Sequence, residues 1–267
     1  MLNVMTQAMN AIEAYNSALS IHSANIANMS VPGYKRLDVS FQSIFEKILS
    51  SGTAASTFDN LGGTNPKQFG QGTAISNIGV DMSQGSFTQT NSIDMAITGR
   101  GLFIVSADGG RTYQYTRAGS FTLSGGSLVT QAGMQVYGLD SSGSLAPITG
   151  LTGDSTEYSW DSGTGELLLN GSSTGKRIAL TYFPNSSGLA QATGTTFVET
   201  AASGSATTPQ APGGAAGLIV AGNIEQSNVF YLGETIDSLE LQRAMSGNLT
   251  VVRMASDIIS NFISKLG

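Results

Sequence analysis

Few side chains in this sequence can do chemistry, and their spacing narrows what they can do. His22 is the single histidine and there is no cysteine. That excludes disulfides, thiolate metal sites and a zinc site built from His and Cys ligands. Gly171-Ser172-Ser173-Thr174-Gly175 has the GxSxG spacing of a serine-hydrolase nucleophile. That chemistry needs a histidine after the serine in the chain, and His22 comes before it. The run is also built only of Gly, Ser and Thr, so the match reads as accidental. Neither HExxH nor GxxxxGK[ST] occurs. There remain Asp154, Glu157, Asp161 and Glu166 beside Tyr158 and Trp160. Paired carboxylates next to aromatics could hold or cleave a sugar. The plainer reading is a solvated hairpin face with one aromatic pair packed inward. The expectation is no catalytic residue, no cofactor and no metal.

The composition points toward protein contacts. Charged residues make up 11% of the 267, hydrophobic residues 40%, and there are 34 glycines. A surface so poor in charge suits a protein that meets other protein over much of its area. The net charge of −6, with 12 scattered Lys and Arg, argues against nucleic acid as a partner. No basic n-region leads into an apolar run at the N-terminus, so no cleaved secretion signal is expected. No stretch of 18 or more apolar residues occurs, so no membrane insertion is expected.

The elements that must position any site are clearest at the two ends. Met1, Met5, Ala8, Ile12, Tyr15, Leu19, His22, Ile26 and Met29 step by fours and threes, a heptad seam. The spacing predicts a helix from about Asn3 to Asn28, stopped by Val31-Pro32-Gly33. A second seam runs through Leu241, Met245, Asn248, Val252, Ala255, Ile259, Phe262 and Leu266. Ahead of it, Val229, Leu232, Ile236 and Leu239 form an offset stripe, which suggests a stutter or a kink near Gln242–Arg243. Ser227-Asn228 offers an N-cap to this helix. Phe41, Ile44, Phe45, Ile48 and Leu49 suggest a short helix or an ordered arm within residues 34–50, followed by a loop over 51–74. Alternating apolar runs from about 74 to 139, again over 177–183 and 195–200, and at 218–224, read as strands. The fold class expected is α+β: terminal helices pairing as a coiled coil, with an all-β body between them. The expected parts are a helical domain (1–30 and 226–267), a linker (31–74), a β domain (75–145 and 176–225) and a small β insertion (146–175).

Asn25-Ile26-Ala27-Asn28 followed by Val31-Pro32-Gly33-Tyr34-Lys35 resembles the N-terminal signature of bacterial flagellar rod and hook proteins. Ser83-Gln84-Gly85-Ser86-Phe87, Asp94-Met95-Ala96-Ile97, Gly99-Arg100-Gly101 and Tyr115-Thr116-Arg117-Ala118-Gly119-Ser120-Phe121 are similar to that family's central strands. Gly222-Asn223-Ile224-Glu225-Gln226-Ser227-Asn228-Val229 is similar to its junction into the last helix. The resemblance implies a subunit of the flagellar axial tube, stacking helically on copies of itself and on neighbouring rod and hook proteins. It also implies passage through the flagellar type III export apparatus without signal cleavage, and a place in the basal body or hook outside the cytoplasm. The length suits a distal rod protein, while Gly62 to Gly72 looks more like hook proteins, so both subclasses stay open. The residues expected at the assembly interface are Leu19, Asn25, Ile26, Asn28, Gly33, Tyr34, Lys35, Leu241, Met245, Val252, Ile259 and Phe262. The rival reading is an extracytoplasmic glycan-binding or glycan-cleaving β-protein acting through the stretch near Trp160.

Overall fold

The computed structural model describes residues 2–50, 52, 62–65 and 67–266. Met1 and most of the expected loop (51 and 53–61) lie outside the described residues, as do the side chains of Phe45, Ile48, Leu49 and Leu266. The chain divides into two compact units. One comprises Met1–Ala24, Val39–Ile78 and Tyr231–Gly267; the other comprises Asn25–Asp38 and Gly79–Phe230.

In the first unit, helix α1 (Leu2–Ala27) and the 36-residue helix α2 (Tyr231–Leu266) pack together, as the two heptad seams require. The covered line of α2 runs through Glu234, Ser238, Leu241, Met245, Asn248, Val252, Ala255 and Ile259, an unbroken alternation of fours and threes. The helix needs no stutter, and the expected one is absent. Leu232, Ile236 and Leu239 are instead more than half exposed. They belong to another face of the same helix. On α1 the fully covered residues are Ala8, Ala11, Ala14 and Ala18, while Met5, Ile12, Tyr15, Leu19 and His22 are half-buried. The seam read from large residues is thus shifted by part of a turn. Alanine at the covered positions lets neighbouring backbone come close, and bulky seam residues flank that line.

Of the helix or ordered arm expected within 34–50, the helix is not formed and the segment is a strand. Strand β1 (Leu37–Ser50) pairs with β2 (Lys67–Val80) in a two-stranded sheet. The run Leu37, Val39, Phe41 carries period two, whereas Phe41, Ile44 and Ile48 carry helical spacing. A second extended segment within reach decides for the ladder. Tyr15 of α1 meets Phe41 of β1 edge to face, ring centres 5.8 Å apart. Asn10 Nδ2 donates to Gln71 O at 3.1 Å, and Gln7 Nε2 donates to Gly70 O. Gly72 (φ +109°) permits this approach, because a Cβ there would stand 2.9 Å from Gln7 O.

The second unit is β-rich. Strands β3 (Phe87–Gln89), β4 (Met95–Thr98), β5 (Leu102–Ser106), β6 (Gln114–Thr116), β7 (Phe121–Ser124), β8 (Ser127–Thr130) and β9 (Gln135–Leu139) follow in order. Among the described residues one antiparallel sheet has 12 strands, with β5 central between β6 and β9. Strand β5 is buried on both faces. Phe103 and Val105 join a core with Phe121, Val136, Tyr158, Trp160 and Ile178, while Leu102 and Ile104 join Tyr115, Tyr137 and Phe197 on the other side. Near the end of the unit, Leu218–Ala221 pairs with β4, and Asn223–Glu225 pairs with β3, setting Glu225 opposite Phe87.

Candidate functional site

The last turn of α1 and the segment after it are built around Asn25. Its side chain is fully buried. Nδ2 donates to Leu37 O at 2.9 Å, and Oδ1 accepts from Leu37 N at 3.0 Å and from Tyr34 OH at 3.2 Å. One amide therefore satisfies both main-chain groups of Leu37, as a paired strand would. The chain turns between them through Met29 N to Ile26 O, Val31 N to Asn28 O and Tyr34 N to Val31 O. Gly33 adopts φ +72°, and a Cβ there would fall 2.4 Å from Ala118 N. Only glycine fits. Its N–H donates to Glu225 O at 2.8 Å.

Lys35 points into a buried charge network. Its Nζ donates to Glu225 Oε1 and to Ser83 O, each at 2.6 Å. Glu225 Oε1 also accepts from Gly85 N at 2.9 Å, and Oε2 accepts from Arg117 Nη1 at 3.3 Å. Arg117 further donates from Nη1 to Ile97 O at 3.0 Å and from Nη2 to Gly99 O. Burial pushes the Lys35 ammonium below the usual lysine value, opposed by the Glu225 charge beside it. Burial lowers Arg117 in the same way, again opposed by Glu225. The Lys35 and Glu225 side chains are closed to solvent. Their chemistry is to hold segments together: the turn after α1, the Ser83–Gly85 stretch, the turn after β4, and the strand before α2. Asn228 adds a rim, accepting from Arg36 N at 2.7 Å and donating to Asp81 O at 2.8 Å. It does not cap α2, which begins at Tyr231.

The expected interface residues thus fall into two groups. Asn25, Gly33, Tyr34 and Lys35 are brought together in this junction, with Ile26 and Asn28 half-buried alongside. Leu19, Leu241, Met245, Val252 and Ile259 lie half-buried on the helix pair. There His22 Nδ1 meets Glu234 Oε2 at 2.7 Å. Phe262 is 66% exposed. Sequence reasoning did not single out Arg117 and Glu225 as site residues. The available signal was their charge, rare in this chain and set within apolar strand motifs.

The other chemical candidates do not form sites. Ser173 lies in the extended strand Ser172–Ile178, with Oγ donating to Glu166 Oε1, and not in a strand-to-helix elbow. Tyr158 and Trp160 are core residues, and Trp160 Nε1 donates to Ile93 O at 2.7 Å. They present no aromatic platform to a sugar.

Residues 5–35 match the profile of flagella basal body rod proteins, and residues 96–154 that of the flagellar hook protein FlgE/F/G D1 domain. The chain is 30% identical to the flagellar basal-body rod protein FlgG of Caulobacter vibrioides over 97% of both chains. It is 27% identical to the protein of that name from Bacillus subtilis over 99% of both. Similarity to the flagellar hook protein FlgE of Helicobacter pylori is 36% identity over 62% of this chain and 23% of the hook protein.

Proposed function

The chain belongs to the family of flagellar basal-body rod and hook proteins, and on that premise we propose that it is a non-catalytic subunit of the flagellar axial tube, of the rod type. The rod reading is favoured by alignment along nearly the whole of the rod relatives, against about a quarter of the Helicobacter pylori hook protein. Copies of the chain stack helically on one another and on neighbouring rod and hook proteins in the basal body. They reach that place through the flagellar export apparatus without signal cleavage.

The observation that carries the proposal is the outer face of α2. Leu232, Ile236, Leu239, Met254 and Ile258 are each more than half exposed. They lie on a different face from the line that packs with α1. Large apolar side chains in such number are costly to leave in water, at about 25 cal/mol per Å2. A second copy of the chain covers it in a tube made by heterologous, non-closing contacts. The assembly residues lie on this helix pair and in the buried junction around Asn25 and Lys35: Leu19, Leu241, Met245, Val252, Ile259 and Phe262 in the first, Asn25, Ile26, Asn28, Gly33, Tyr34 and Lys35 in the second.

The test is sedimentation and electron microscopy of the purified chain at high concentration. The unmodified protein is expected to form tubes. The double variant Met254→Asp, Ile258→Asp is expected to stay monomeric while Trp160 fluorescence remains that of a folded β unit. Tubes formed equally well by the variant would sink the reading.

A further inference from the structure

A cleft of about 320 Å3 lies over the Gly99-Arg100-Gly101 turn of the β unit, at the small end of the range for ligand pockets. Its lining contains two arginines and no carboxylate. Arg100 is exposed. Arg117 is 3% exposed, and among the described residues its Nε has no hydrogen-bond partner. The turn that carries Arg100 is held from two sides. Gln84 Nε2 donates to Ile97 O at 2.5 Å, and Gln84 Oε1 accepts from Gly99 N at 3.1 Å, while Arg117 Nη2 donates to Gly99 O. The site is therefore built before anything binds. Behind it, Arg117 shares its counter-charge, Glu225, with Lys35, so the Arg117 charge is only partly offset. Low-dielectric surroundings screen that charge poorly. Met82, Leu102 and Tyr182 complete the lining with apolar surface.

This positive point sits on a chain whose net charge is −6. Copies of such a chain repel one another, and packing them side by side calls for local complementarity. We propose that the cleft receives the side-chain carboxylate of an Asp or Glu from a second copy of this chain. The carboxylate accepts from the Arg100 guanidinium, with the buried charge of Arg117 behind it. The methylene stem of the acid lies on Met82, Leu102 and Tyr182. This contact rests on the tube reading and gives it a specific lateral link, separate from the helix faces.

Two measurements decide it. The first titrates the monomeric full chain with glutarate at low salt, following the amide resonances of Gly99 and Gly101. A saturable shift is expected, about tenfold weaker in Arg100→Gln. No shift, or a shift with inorganic phosphate alone, overturns a carboxylate site. The second compares the critical concentration for tube formation. Arg100→Glu is expected to raise it about tenfold, with Arg100→Lys close to the unmodified chain. If the unmodified chain forms tubes and Arg100→Glu forms them equally well, the lateral link is wrong and the tube reading stands. If the unmodified chain forms none, the tube reading fails and the second copy fails with it as the source of the acid.

Discussion

Lys35 Nζ lies 2.6 Å from Glu225 Oε1, and neither side chain is exposed. The two residues are 190 positions apart, so this contact closes the segment after α1 onto the strand before α2. Desolvation cancels much of the attraction within such a pair, which therefore specifies the closure more than it stabilises it. The cost appears when one partner is removed. Glu225→Ala would leave Lys35 and Arg117 buried without their counter-charge, and is expected to cost the β unit about 3–5 kcal/mol. Lys35→Met leaves Glu225 still bonded to Arg117 and Gly85, and is expected to cost about 1–2 kcal/mol. Urea titration followed by the fluorescence of Trp160, which is buried in the core of that unit, measures both. Equal losses would show that Glu225 is not the hub of the network.

The turn after α1 gives a second pair of outcomes. Gly33→Ala places a methyl group on the backbone of Ala118 at a positive φ, and about 3 kcal/mol or more of stability should be lost. Asn25→Ala forfeits the bonds to Leu37 and Tyr34, at about 1–3 kcal/mol. Asn25→Asp should be worse than Asn25→Ala. It turns an anion toward Leu37 O where a donor is required. The same fluorescence-monitored unfolding ranks the three, and an Asp variant as stable as the Ala variant would contradict the assigned amide orientation.

Three aspartates tie down hairpin turns of the β unit. Asp108 is held well below the ordinary value of 3.8, first by the Thr112 main-chain N–H and then by the hydroxyls of Thr112 and Ser106. Asp140 is lowered chiefly by the Ser142 hydroxyl, and Asp161 chiefly by the Thr164 hydroxyl. Between the folded and unfolded pKa values the unfolded chain binds more protons, so stability there rises with pH. The contribution is complete above about pH 5 and is lost as pH falls through the lowered folded values. Thermal melts from about pH 6 to about pH 2 should show an acid limb. The triple variant Asp108→Asn, Asp140→Asn, Asp161→Asn should flatten it. An unchanged slope would place the acid sensitivity elsewhere.

Much of the architecture could be read from residue spacing. The limits of α1, and strands such as Leu102–Ser106, follow from their periodicity because burial on one face leaves a mark on every turn or every second residue. Sequence pattern and structure part where two periods coexist or where burial does not select for size. Residues 37–50 carry both a strand and a helix pattern, and only the pairing with 67–80 separates them. The covered line of α1 is alanine, which a search for large apolar residues passes over. The exposed stripe of α2 looked like a break in the seam because a sequence does not say which of two apolar faces meets its neighbour. The junction was half legible. Asn25, Gly33, Tyr34 and Lys35 are close together in sequence, whereas Arg117 and Glu225 become their neighbours only through the β ladders.

Two adjacent residues of α2 separate the packing of the helices from the packing of copies. Ile259 lies on the covered line, and Ile258 is 51% exposed on the outer face. A charge at 259 must be buried against α1 or must separate the helices, whereas a charge at 258 meets water. In dilute monomer, Ile259→Asp is expected to lower the far-ultraviolet helical signal, and Leu19→Asp to do the same from the α1 side. Ile258→Asp should leave that signal unchanged. The Trp160 transition should be preserved in all three, since Trp160 reports on the other compact unit. At high concentration all three should fail to form tubes, Ile258→Asp through the lost contact between copies alone. A monomer unfolded throughout by Ile259→Asp would mean that the helix pair and the β unit share one cooperative core. A loss of helix in Ile258→Asp would mean that its face is already covered within the single chain.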